Sequence, residues 1–425
     1  MEHLFLLILK RLSPGYANSR MLIFSKALII LCVLVSLPVL SYSGDNDGGV
    51  VGSVTLPELV ESALSKNQQL ISADASAQRY QTRIPLIDNL TEPLLAFYYQ
   101  GFPVANMSGG TVEKVHQGSA GVATKHTGRS VRGKILTGQD MVENMALWYE
   151  YSAEDLRLQI TRQVREAFYR IYFLDRIIKV TQKSLVTLES LTEAGGTQYA
   201  VGNIRQKALL NIQKQRYLLT ARLLDLEQQR QQWATTLNYL AARSVSAKIV
   251  PSIEGGLEYE DLIEPKYSVN NLISGLIHNR PLSKGYQALG ARFKVMRGMA
   301  QMYFNRDVQT EAMFEADSGF RAMRAEGADF FNKTSADIQI TLDNLNSYRE
   351  QARLYGRVLV PQSRQIYQTN LADFKVGLGN YQETLDSLLD LDRFQVKYFE
   401  MLSNYQVDMA RLEGLSGMAL NDSEQ

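Results

Sequence analysis

The chain has 425 residues, with 45 Lys and Arg against 44 Asp and Glu, and a single cysteine, Cys32. That balance gives no basic excess for a nucleic-acid phosphate backbone, and one cysteine builds no disulfide framework. The length allows a sizeable core and two or three domains.

Residues 1–43 read as a secretory signal. Lys26 precedes the apolar run Ala27 to Leu40, and Ser41-Tyr42-Ser43 puts small residues at the −3 and −1 positions before Gly44. The signal is complete from Met21, an alternative start. A membrane anchor is the rival reading, but the run falls short of the ~20 apolar residues that cross a bilayer. Leu31 stands where lipidation of Cys32 needs a small residue. Cleavage leaves 41 Lys and Arg against 43 Asp and Glu, a balance of −2, and no cysteine. With no later apolar run of about 18 residues, the segment points to the periplasm or outer membrane of a Gram-negative cell.

Residues 44–53 form a glycine-rich leader expected to be disordered. Thr55-Leu56-Pro57-Glu58 then predicts a helix start, with Thr55 at the N-cap and Leu59, Ala63, Leu64 and Leu70 as its apolar face. Residues 94–138 change character: Phe97-Tyr98-Tyr99 suits a strand, and eight glycines between Gly101 and Gly138 favour a hairpin or long loop. His116 and His126 lie in this stretch, ten apart, which is no helical or finger-type ligand spacing. Helix is predicted from Met141 to about Glu193, interrupted by Gly195-Gly196.

Beyond Gly202, positions 209, 212, 216, 219, 223, 226, 230, 233, 237 and 240 alternate steps of three and four, a coiled-coil seam of mostly Leu, Ile and Trp. The opposite face carries Gln228-Gln229 and Gln231-Gln232, suited to water or a polar lumen. Residues 243–268, with Pro251, Gly255-Gly256 and Pro265, form a linker, and a second unit spans 269–420 before a short tail, 421–425.

That second unit repeats the first. Tyr199-Ala200-Val201-Gly202 returns as Phe374-Lys375-Val376-Gly377, Gly202 and Gly377 being 175 positions apart. The same offset relates Leu237 and Leu240 to Leu412 and Leu415. Another seam runs from Leu388 to Leu412. A duplicated helical hairpin with a glycine tip is an architectural statement. Asn67 and Asn279 are 212 apart, so the second copy is shorter by about 37 residues ahead of its tip helix. What remains there, Lys294 to Lys333, is rich in Ala, Met and Glu and predicts helix rather than membrane strands of ~9–11 residues.

In order and spacing these segments resemble the TolC-like outer-membrane channels of drug efflux and type I secretion. Thr55 to Leu70 resembles the family's first helix, and Asn279-Arg280-Pro281-Leu282 the start of its second half. Gly133-Lys134 looks like the return from its first strand pair. The two aromatic-x-Val-Gly motifs look like its hairpin tips, and Leu237-Asn238-Tyr239-Leu240 and Leu412 to Gly417 like its repeat ends. The likeness covers residues 54–420. It implies a mainly α fold: two tandem coiled-coil hairpins, 54–242 and 269–420, forming a trimeric α-barrel with a β portion of two strands per repeat. With the second insert shortened, either trimer packing closes a smaller barrel or the chain does not span the membrane.

The resemblance also implies a homotrimer in outer-membrane lipid that docks its tips, at Val201, Gly202, Val376, Gly377 and Leu378, onto a periplasmic adaptor below an inner-membrane pump. Glu383 and Asp386, three apart on one helix face, match acids that ring the family's aperture, where threefold symmetry gathers carboxylates and favours cations. Ala208 and Asn211 hold the equivalent positions in the first copy, so an acid-mediated link between repeats is missing there. No catalytic constellation, cofactor or metal site is read from the sequence. The expected function is a passive export conduit; the alternative is a periplasmic structural or interaction protein that no longer spans.

Overall fold

The computed structural model describes residues 53–89, 95–99, 120–124, 129–202, 204–262, 268–303, 306–376 and 378–420, with no side chain placed between 88 and 137. The predicted signal and nearly all of the leader lie outside the described residues, as do His116 and His126.

The first copy opens with α1 (Leu56–Lys66), α2 (Gln68–Gln81) and α3 (Arg83–Asn89). Thr55 forms a reciprocal capping box with Glu58, and Pro57 lies in the first turn where its missing N–H costs nothing. Leu59 and Ala63 of α1 and Leu70 of α2 are buried, whereas Leu64 faces outward. The chain breaks at Asn67, whose side chain caps α2 by accepting from the Gln69 N–H at 2.9 Å and donates to the Leu240 carbonyl at 3.0 Å. Strands β1 (Leu95–Tyr99) and β2 (Ala120–Thr124) pair antiparallel, Leu95 opposite Thr124 and Tyr99 opposite Ala120.

Helix α4 (Arg129–Ala200) has 72 residues, roughly 108 Å at 1.5 Å per residue. It differs from the sequence reading at both ends. It starts twelve residues before Met141, taking in the last part of the predicted 94–138 insert. It also runs through Gly195-Gly196, because Gly195 is a packing position: an added Cβ there would collide with the Tyr381 ring. After the tip, α5 (Gln206–Leu240) returns along α4. Every position of its predicted seam is buried or half-buried, Ile212 and Leu237 completely. Each such leucine contributes about 1.5–3 kcal/mol on burial. The four glutamines of the opposite face are exposed.

The linker includes a parallel bridge of Val54 to Pro251 and a short 3₁₀ turn, Tyr259–Asp261. The second copy follows as α6 (Val269–Asn279), α7 (Pro281–Tyr303), α8 (Arg306–Leu354), a π-turn (Tyr355–Leu359), α9 (Val360–Lys375) and α10 (Tyr381–Ser416). Both α1 and α6 have 11 residues. Their breaks, Asn67 and Arg280, are 213 apart, one more than the asparagine motifs indicate. The π-turn precedes Pro361, which lacks an N–H and so removes one bond of the helical ladder.

Among the described residues, the two strands per repeat that the resemblance implies are therefore met in the first copy only. Where the first copy places β1 and β2, the second continues as α7 and α8, as its Ala-, Met- and Glu-rich composition predicts. Packing of aromatic rings against glycine draws this pair together. Phe293 fills the space beside Gly319, and Tyr286 sits against Gly327.

Near the tips the helices lie side by side as α5, α4, α10 and then α8–α9. Toward the strand end the order is α2, α4, α7, α8. One core joins the copies through Tyr172 and Phe173 of α4, Ile338 and Leu345 of α8, and Leu402, Tyr405 and Leu412 of α10. At the break before α7, buried Arg280 pairs with Asp155 of α4, its Nη2 at 3.0 Å from Oδ2, and also donates to the Gly414 carbonyl of α10.

Candidate functional site

The two hairpin tips are built alike. In the first, the Val201 and Gly202 N–H groups donate back to the Thr197 and Tyr199 carbonyls at 3.2 and 3.0 Å. Gly202 has φ +79°, a left-handed conformation that glycine takes without strain. In the second, the Val376 N–H closes on Ala372, and both Leu378 and Gly379 donate to the Asp373 carbonyl at 2.9 Å. A Cβ on Gly379 would lie 2.5 Å from the Phe374 nitrogen, so glycine is needed there. The Asn380 side chain then caps α10 by accepting from the Gln382 N–H at 2.9 Å.

Of the predicted docking residues, Val201 is 65% exposed, Val376 69% and Leu378 85%. Gly202 is exposed as well, and Gly377 lies outside the described residues. Exposed aliphatic side chains at the ends of two long hairpins are unsatisfied apolar surface. A shared core holds the tips side by side: Leu188 and Leu191 from α4, Ile212 and Leu219 from α5, Tyr381 and Leu385 from α10. The Tyr381 hydroxyl donates to the Leu191 carbonyl, and burial pushes its pKa up to about 12.

Glu383 and Asp386 are exposed on the first turns of α10. Glu383 meets the Asn380 amide at 3.5 Å, and Asp386 accepts from the Gln382 amide at 2.9 Å. Neither is in an ion pair among the described residues. Two un-neutralised carboxylates thus share one helix face just past the tip. On the first copy's side, Asn211 reaches Gln382 at 3.3 Å, a neutral amide link between the repeats where an acid is missing.

A charged link between the repeats does exist, deeper in the hairpin, and the sequence reading missed it. Arg222 of α5 meets Asp392 of α10 at 3.3 Å, with the Asp392 side chain only 3% exposed. Burial pushes the Asp392 carboxyl up, while the Ser184 hydroxyl and the Arg222 guanidinium pull it back. No local signal singled it out, because Asp392 stands between Leu391 and Arg393, two positions after another acid, Asp390. Among the described residues, no group of three or more His, Cys, Asp or Glu side chains is placed to hold a metal.

No family model matches the sequence, and no curated protein does. Solved structures match over most of their length. The Campylobacter jejuni CmeC outer membrane channel is 12% identical, with a TM-score of 0.70 over 87% of this chain and 87% of its own. The open-state Neisseria gonorrhoeae MtrE outer membrane channel is 14% identical, with a TM-score of 0.68 over 87% and 90%. A membrane protein from Pseudomonas aeruginosa is 16% identical, with a TM-score of 0.71 over 85% and 92%. At these identities the likeness is one of fold, and the chain has the helical-barrel fold of the outer-membrane channels that its TolC-like motifs resemble.

Proposed function

We propose that the chain is the outer-membrane component of a tripartite efflux or type I secretion system. It acts as a homotrimeric, non-enzymatic conduit whose hairpin tips dock a periplasmic adaptor beneath an inner-membrane pump. The observation that carries this reading is a pair of unpartnered apolar edges. One edge, α5, exposes Leu210, Tyr217, Leu218 and Leu224; the other, α8–α9, exposes Ile340, Leu354 and Ile366. These edges lie on opposite sides of the helical layer. Two different edges that cover one another head to tail generate a ring when the rotation closes. Within the chain, α4 already packs on α10, and by the 175-residue offset the edge pairing of α8–α9 with the next chain's α5 repeats that contact.

In such a ring the Glu383 and Asp386 carboxylates of three chains gather below the tips and select cations. Among the described residues no helix is long and apolar enough to cross a membrane. Insertion on this reading falls to the strand end. A second reading has its own observation: α7 and α8 stand where a second strand pair is expected, which fits a periplasmic protein that keeps the barrel without spanning.

Light scattering on the full chain in detergent tests the ring. The wild type gives the mass of a trimer, and Tyr217→Asp with Ile366→Asp gives a monomer of unchanged helicity. A monomeric wild type contradicts the proposal.

A further inference from the structure

The end of α6 and the facing stretches of α7 and α8 enclose an open cavity of about 410 Å³, a size typical of small-molecule sites. Its walls are mainly apolar, with Ile277, Tyr286, Phe320 and Phe331, but two cations, Lys294 and Arg324, also line it. Lys294 lies over the Phe320 ring, 5.1 Å from its centroid. Neither cation is in an ion pair among the described residues. Acids are at hand, since Arg297 on the same helix pairs with Asp317 of α8 at 2.9 Å. The Ser283 hydroxyl, also in the lining, is buried without a partner.

The internal repeat shows that the fold does not require this lining. The corresponding groove of the first copy, where α2 meets α4, has about 420 Å³ and is also mainly apolar, with Tyr149, Leu156 and Leu282 in its lining, but its one charged group is an acid, Asp155. At the 175-residue offset Arg324 matches Tyr149 and Gly327 matches Ser152; at 213, Tyr286 matches Ala73 and Lys294 matches Gln81. The same helix pairing is thus built once around an acid, Asp155, that is paired with Arg280, and once around two unpaired cations, Lys294 and Arg324. The helix pairing itself therefore does not call for the two cations.

We propose that this cavity binds an amphiphilic anion: an alkyl chain ending in a phosphate or carboxylate. The tail lies among Tyr286, Phe320 and Phe331, and Lys294 and Arg324 hold the headgroup through charge-assisted hydrogen bonds. An apolar cavity with two free cations disfavours a neutral lipid, which leaves the charges unmatched, and a small inorganic anion, which leaves the apolar wall wet. The site does not depend on conduction, so it stands or falls separately from the channel reading.

Isothermal titration of the full-length trimer in a non-ionic amphipol tests it, with dodecyl phosphate, dodecanol and inorganic phosphate as probes. The expected result is one dodecyl phosphate per chain, weakened about tenfold or more by Lys294→Met with Arg324→Met. Dodecanol should bind weakly and equally to both proteins. Gly290→Phe should abolish binding by filling the cavity. Should that variant misfold, the double Met variant still decides, because both cations are exposed and their loss leaves the core intact. Four results overturn the proposal: no binding to the wild type, equal dodecyl phosphate affinity in the double variant, inorganic phosphate binding as tightly as dodecyl phosphate, or binding that appears only after the trimer is dissociated. The last would mean that a neighbouring chain fills the groove.

Discussion

At the tip end the two copies are near replicas, with Val201 and Val376 similarly exposed and both turns closed by backbone bonds onto the preceding helix. At the other end they part, the first copy giving β1 and β2 and the second giving α7 and α8. The difference locates the constraint. On the proposed function, ring closure and tip docking need two matching hairpins in register, whereas the strand end tolerates two solutions as long as each packs on α4. The break after each opening helix lies between these regimes. In both copies a side chain there reaches a carbonyl near the end of the returning helix, Asn67 to Leu240 and Arg280 to Gly414. The first bond is neutral; the second belongs to a buried ion pair with Asp155.

That contrast can be broken by mutation. Arg280→Met should cost about 3–5 kcal/mol because it strands the buried Asp155 carboxylate, and adding Asp155→Leu should recover much of the loss. Asn67→Ala should cost only about 1–3 kcal/mol, the desolvation of one carbonyl plus a lost cap. Denaturation midpoints measure both. Equal costs would mean that the two breaks do the same structural job despite their chemistry.

The near identity of the tips can be sharpened in the same way. By the 175-residue offset, Leu378 stands where the first tip has Asn203. Leu378→Asn makes the second tip resemble the first, and should weaken adaptor capture about tenfold, as loss of an exposed apolar anchor does, with the trimer intact. Unchanged capture would assign docking to the valines shared by both tips.

A smaller effect should come from Asp392. Its carboxyl is raised by burial, so between the ordinary value, about 4, and the raised one the folded chain holds more protons than the unfolded chain. Stability therefore falls as pH rises through that window. Asp392→Asn should flatten this slope in thermal melts recorded from pH 4 to 7. An unchanged slope would place the dependence elsewhere, with Asp408, whose carboxyl is also raised by burial, as the next candidate.

What the sequence made legible were features with a period. The seam from position 209 to 240 was readable because its steps of three and four put ten residues on one stripe, and the structure buries or half-buries all ten. The helical character of the shortened insert was readable from composition. Features set by a distant partner were not. Gly195 looked like a helix breaker because its reason, the Tyr381 ring, lies 186 positions away. The pairing of Arg280 with Asp155 spans 125 positions with no local pattern. The spacing of Glu383 and Asp386 put them on one helix face and only the family resemblance suggested an aperture role, while their lack of an ion pair is visible only once Gln382 and Asn380 are seen to be their neighbours.

The most direct test of the central claim, that two matched hairpins close a conducting ring, is single-channel recording of the purified trimer in planar bilayers, comparing the wild type with Glu383→Gln/Asp386→Asn. The account predicts a conducting, cation-preferring pore in the wild type. In the double variant, both cation preference and block by multivalent cations should weaken while the trimer mass stays the same. An intact trimer that gives no conductance would contradict the conduit and favour the periplasmic reading. Conductance with selectivity unchanged in the variant would remove Glu383 and Asp386 from the aperture.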